Sequence, residues 1–204
     1  MNPILLIGTL LWLYVLSVLK RTQLPAYFFI VGSVGLFFIL LALSKPYWVW
    51  FATHLVILAI KGFSTLTQFS DVMVKYGVVH IFTADQSSVM MTIDYECSGI
   101  IETTAFWGLV AFFPAYSRHE RLLYMFIGWL WIYLANVLRL IFIIVVVHFG
   151  GYQAFFLAHN LLGRLIFYII VIMLYYNVFT YSQLAQKLLT KWPFNFSRKQ
   201  VTRR

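Results

Sequence analysis

Long apolar stretches alternate along this chain with short polar turns. A bilayer crossing takes about 20 predominantly apolar residues, with a range of about 17–25. Five stretches meet that length: 3–19, 24–43, 47–69, 99–115 and 152–181, the last with its regular helix expected after His159. A sixth, 122–149, is apolar for longer than one crossing needs. It reads as a tilted helix that protrudes, or as a span followed by a half-buried piece. The pattern predicts six crossings.

Between 71 and 96 the period changes. Residues 78–83 and 89–94 are β-prone and partly alternating, and Asp85-Gln86-Ser87-Ser88 between them is turn-like. This predicts an external β-hairpin that delivers the chain to Cys97. The expected fold is an all-α polytopic membrane protein with one short β-hairpin-like segment. Residues 1–186 form a single transmembrane domain, and 187–204 a basic cytoplasmic tail.

Composition agrees. The chain is 62% hydrophobic and 10% charged, against roughly 45–50% and about 25% in soluble domains. The net charge of +9 does not point to nucleic acid, because the basic residues gather at segment ends and in the tail. Lipid is the expected surrounding. Residues 3–19 lack a charged n-region and a small-x-small cleavage site, so they read as a retained first span. The sequon Asn195-Phe196-Ser197 sits in the basic tail and carries no weight.

Basic residues also set the expected orientation. Arg118 and Arg121 mark their loop as cytoplasmic, the tail joins them, and Lys45 marks the second turn as cytoplasmic too. Both termini are then inside. Lys20-Arg21 falls outside, against the rule.

The chemistry centres on the only cysteine, in Asp94-Tyr95-Glu96-Cys97-Ser98-Gly99-Ile100-Ile101-Glu102. One thiol makes no internal disulfide, but it can be a nucleophile if a base and a cation reach it. The candidates are Arg139 and His159. Helix rise puts Cys97 about 30 Å from the loop at 117–121, and Arg139 about 27 Å from Arg121. The 28 residues from Lys187 back to His159 exceed one crossing. All three are expected at the outer interface.

Ser98-Gly99 reads as a helix start, where the positive end of the dipole favours a thiolate. His159 can take the thiol proton and return it to a leaving amine. Arg139 can steady the thiolate or an oxyanion. Asn136, three residues earlier on the same face, can fix the guanidinium. Glu102 reads as a structural counter-charge for Arg139 or Arg164, and His148 as a substitute for His159. No metal or cofactor is expected. Against this stand ordinary roles: a lone membrane cysteine is usually packing, a helix-end arginine snorkels, and a histidine at a helix start caps. A transporter finds no paired intramembrane carboxylates and no inverted repeat.

Glu96-Cys97-Ser98-Gly99-Ile100, then Asn136-Val137-Leu138-Arg139, then His159, resembles the exosortase/archaeosortase family of integral-membrane cysteine transpeptidase-like proteases. The resemblance covers about residues 75–180 and is most like the short Gram-positive branch, exosortase G. It departs from the larger exosortases in lacking their N-terminal spans. It implies a protein substrate with a C-terminal signal: a short motif, one transmembrane helix and a basic cluster. The cysteine then attacks on the outer side, and the thioester passes to water or to an envelope nucleophile. The alternative is a non-catalytic scaffold for cell-envelope or polysaccharide export.

Overall fold

The computed structural model describes residues 3–45, 47–83, 88–93 and 95–181. The expected basic tail, most of the turn at 85–88 and the side chain of Glu96 lie outside what is described.

Three helices come first: α1 (Pro3–Arg21), α2 (Pro25–Leu43) and α3 (Tyr47–Thr67). A small sheet follows, then a single 3-10 turn (Tyr95–Cys97), α4 (Ile100–Phe112) and the long α5 (Arg118–Leu157). A π-helical turn (Ala158–Leu162) leads into α6 (Gly163–Tyr175), and a second π turn (Tyr176–Tyr181) closes the described chain.

Among the described residues, four helical stretches are long and apolar enough to cross a bilayer: Pro3–Arg21, Pro25–Leu43, Tyr47–Thr67 and Arg118–Thr180. The fourth doubles back. Gly151 adopts φ 70°, ψ −171° and breaks the helix, a conformation glycine reaches without a Cβ penalty. Trp131 Nε1 then donates to the Ile170 carbonyl at 3.1 Å, and Arg139 lies over the Phe167 ring. The segments on either side of Gly151 are therefore antiparallel neighbours. Helix α4 is shorter than the expected span 99–115. Its 13 residues reach only about 20 Å.

Side-chain contacts fix the register of the bundle. Phe28, near the start of α2, packs edge-on against Phe112 at the end of α4. The Gly108 position of α4 meets the Ser33 carbonyl, where an ideal Cβ would stand 2.7 Å away. Arg121 donates to the Phe113 and Tyr116 carbonyls at 3.0 and 3.1 Å. The Tyr116 hydroxyl donates to the Val178 carbonyl. One end of the bundle thus gathers Lys20, Arg21, Arg118, Arg121 and the C-terminal end of the last helix. Ser117 and Glu120 form a capping box that starts α5 there, each satisfying a backbone N–H.

The opposite end holds Cys97, and with it Lys45, whose ammonium lies 5.2 Å over the Tyr95 ring. Two sequence expectations are corrected here. Lys45 does not share an end with Arg118 and Arg121, whereas Lys20-Arg21 does. The physical reason is the direction of α3. The Tyr133 hydroxyl donates to the Leu55 carbonyl at 3.1 Å, and Phe69 stacks on His148 at 4.1 Å. Helix α3 therefore climbs α5 in the same sense as α2, and continues α2 instead of reversing it. Six antiparallel crossings need that reversal, so the expected count is not confirmed. Pro3 also lies at the cysteine end, because α1 runs antiparallel to α2 with Trp12 Nε1 on the Val31 carbonyl. The two ends of the described chain are on opposite sides of the bundle, not on one side.

The expected hairpin is present and gains a strand. β1 (Ser70–Met73), β2 (Val78–Phe82) and β3 (Ser88–Thr92) form an antiparallel sheet in the order β1-β2-β3. Asp71 pairs with His80 and His80 with Met90. The inward face carries Val72, Val79, Ile81, Val89 and Met91, all buried. They pack with Val56, Ile57 and Ile60 of α3 and Leu140, Ile143, Ile144 and Val147 of α5, in the same cluster as Cys97. Period-two alternation on a one-sided sheet explains that face. A hydrogen bond of 2.6 Å between the Ser64 and Ser70 hydroxyls ties the end of α3 to β1.

Candidate active site

Cys97 ends the 3-10 turn immediately before α4 and is 4% exposed. The turn is held locally. The Ser98 N–H and hydroxyl both donate to the Tyr95 carbonyl, at 3.1 and 2.6 Å. The Ser98 oxygen accepts from the Ile100 N–H at 3.4 Å. Gly99 caps α4 with φ 70°, the left-handed region that favours glycine. An ideal Cβ at Gly99 would stand 3.4 Å from Ile132 and 3.8 Å from Asn136 Nδ2. The Cys-Ser-Gly run is thus one turn pressed against α5 and aimed so that α4 begins directly after the thiol.

Asn136 makes the long-range tie. Its Nδ2 donates to the Cys97 carbonyl, across 39 residues of sequence. This departs from the expected role, in which Asn136 would fix the Arg139 guanidinium. Asn136 is 1% exposed and Arg139 6%, one helical turn apart on the same face. Arg139 has the Phe167 ring at 5.9 Å, a cation–π partner, and it attracts the half-buried Glu102 carboxylate. Glu102 makes no direct ion pair with Arg139, which it meets only through space. Beside them the Tyr95 phenol is pushed above its ordinary range, by burial first and by the Glu102 carboxylate second. Cys97, Ser98, Asn136, Arg139 and Glu102 therefore form one neighbourhood built from the 3-10 turn, α4 and α5.

His159 stands apart. It lies in the π turn after Gly151, with Nδ1 3.2 Å from Asn160 Oδ1 and its ring stacked on Phe155. The α6 residue opposite Arg139 is Phe167. His159 is eight residues nearer the tip, so it sits about 12 Å further along the bundle axis. The shared depth expected from sequence holds for Cys97 and Arg139, while His159 lies beyond them. Its neighbour Ala158 is fully buried in the cluster that contains Cys97, so the π turn is anchored against the same core. The substitute, His148, has a structural tie: its ring nitrogen Nδ1 bonds the Phe82 carbonyl, which pins β2 to α5.

Next to Ser98 lies an apolar cavity of about 200 Å³ between α2, α3, α4 and α5. Leu43, Trp48, Trp107, Trp129 and Ile132 line it. This cavity is not legible in the sequence, because four separate elements contribute to it and each tryptophan alone reads as packing. The contact of Lys45 with Tyr95 is likewise not legible, because it joins two segments far apart in sequence.

With the geometry in place, residues 1–176 match the family described as transmembrane exosortase. The chain belongs to that family, and it is a multi-pass membrane protein. Its members are in general cysteine-protease-like enzymes. No curated protein and no solved structure gives a significant match.

Proposed function

We propose that this chain cleaves a C-terminal sorting signal from membrane-anchored proteins at the outer face of the membrane, with Cys97 as nucleophile. Family membership supports the class of reaction. The observation that carries the assignment to Cys97 is its backbone tie to Asn136, one turn from the buried Arg139. A buried arginine is costly unless it has a task or a partner, and this one lies one helical turn from the residue that holds the Cys97 backbone.

In this reading the Cys97 thiolate attacks the scissile carbonyl. The carbonyl oxygen gains charge, and Arg139 stabilises it. The C–N bond breaks, the amine leaves with a proton, and a thioester joins the substrate to Cys97. Water or an envelope amine then attacks the thioester and frees the thiol. His159 is the proton carrier in this scheme, which requires its imidazole to come within hydrogen-bond reach of Cys97 when substrate binds. π turns are frequent at functional sites.

The positive-inside rule supports the orientation. Lys20, Arg21, Arg118 and Arg121 share one end, so the Cys97 end faces outward. The branch closest in pattern is the short Gram-positive one. The substrate is a protein with a motif, a transmembrane helix and a basic cluster, whose helix brings the cleavage point to the depth of Cys97.

The test is processing of a co-expressed protein with such a signal. Wild type should shorten it, and Cys97→Ser at equal expression should leave the precursor intact. Full processing by Cys97→Ser would return the chain to the alternative reading, a scaffold for envelope or polysaccharide export.

A further inference from the structure

Among the described residues, three buried side-chain polar atoms have no hydrogen-bond partner: Ser33 Oγ, Asn136 Oδ1 and Arg139 Nε. Two of the three lie one helical turn apart at the candidate site. A buried donor or acceptor without a partner is expensive, and more so when charged. Natural sites keep such groups where a ligand completes them. The two atoms are also of opposite kind. Arg139 Nε can only donate, and Asn136 Oδ1 can only accept. Nδ2, on the same Asn136 amide, is already committed to the Cys97 carbonyl, which fixes how Oδ1 points.

We infer that Asn136 Oδ1 and Arg139 Nε together hold the main chain of one extended substrate residue, Oδ1 accepting its N–H and Nε donating to its C=O. This rests on the reading above and adds a second role for Asn136, as a positioning residue that aligns the substrate backbone with Cys97. An extended residue presents its N–H donor and C=O acceptor to one side, and this pair offers the complementary acceptor and donor. A carboxylate or phosphate presents acceptors alone and leaves Oδ1 unmet. Lipid acyl chains meet neither atom. The site therefore reads main chain, and it supplies none of the side-chain selectivity that distinguishes one substrate from another.

The chain has one cysteine, so alkylation of the intact protein reports on this place alone. The full chain in detergent is treated with iodoacetamide and with N,N-dimethyl-2-iodoacetamide, and adduct formation is followed by intact mass. Both probes carry the carbonyl and the leaving iodide, and only the first carries N–H. Relative to free cysteine, wild type should prefer iodoacetamide by about tenfold, the effect of one satisfied hydrogen bond. Asn136→Asp keeps an acceptor oxygen and loses the donor to Cys97, so it should keep the preference. Asn136→Leu should lose it, with helicity by circular dichroism confirming the fold. Equal normalised rates in wild type overturn the inference and leave Asn136 as a clamp on Cys97 only. No adduct with either probe also overturns it, because a site closed to iodoacetamide is closed to a peptide. None of these ratios depends on substrate processing, so failure of the cleavage reading shows separately, in Cys97→Ser.

Discussion

Lys45 lies over the ring of Tyr95, 5.2 Å from its centroid. That contact joins the connection between α2 and α3 to the turn that carries Cys97. It assigns Lys45 to the cysteine end, where Pro3 also lies because α1 runs antiparallel to α2. Reporter fusions before Pro3 and after residue 204 should therefore appear on opposite sides of the membrane. Accessibility of epitope tags in intact and permeabilised cells measures this. Two tags on the same side would restore a hairpin between α2 and α3.

Removing the Asn136 side chain takes the Nδ2 donor away from the Cys97 carbonyl. Asn136→Ala should cost about 0.5–1.5 kcal/mol, the net worth of one hydrogen bond. The loss should appear as a lower midpoint in thermal unfolding in detergent. An unchanged midpoint would mean that the carbonyl finds another donor.

Glu102 and Arg139 attract each other across α4 and α5. Breaking a fully buried pair costs about 3–5 kcal/mol. Glu102 is only half-buried and makes no direct ion pair with Arg139, so Glu102→Gln should cost well below that, about 0.5 kcal/mol. Adding Arg139→Met should recover part of that stability, because no unpaired charge remains. A double-mutant cycle on unfolding midpoints measures the coupling, and strict additivity would deny the pair. Every Arg139 variant should lose processing, Arg139→Lys included if the planar fork is needed.

The two histidines near the cysteine end should separate cleanly. His148 bonds the Phe82 carbonyl and stacks on Phe69, so His148→Ala should loosen the sheet and speed proteolysis within residues 70–93. His159 is half-exposed and partnered by Asn160 and Phe155. His159→Ala should keep the fold, with a stability change near 0.5 kcal/mol as for exposed positions, and lose precursor processing. Retained processing in His159→Ala would remove it from the mechanism.

Much of the site was legible because its chemistry sits in contiguous runs. Cys97-Ser98-Gly99 announces a turn before a helix, and Asn136 and Arg139 share a face at any helical geometry. Helix rise alone brought Cys97 and Arg139 to one depth. Counted back 28 residues from Lys187, the same arithmetic gives His159 about 42 Å. Taking the excess over one crossing as tilt set it level with Cys97, whereas it lies further along the axis in the π turn. The role of Asn136 was misassigned because its nearest polar neighbour in sequence, Arg139, is not the group its Nδ2 meets. β1 escaped because four residues, Ser70–Met73, are too few to show a period.

The sequence by itself determined the solvent, the helical segments, the hairpin and the residue types at the site. These follow from composition and local periodicity, which each segment carries alone. Only tertiary structure decided the direction of α3, the end that receives Lys45, the partner of Asn136 and the cavity beside Ser98. Each depends on which faces of distant helices meet. Apolar helices in lipid carry little amphipathic signal to say so, since packing and a few polar contacts, not burial from water, choose their neighbours.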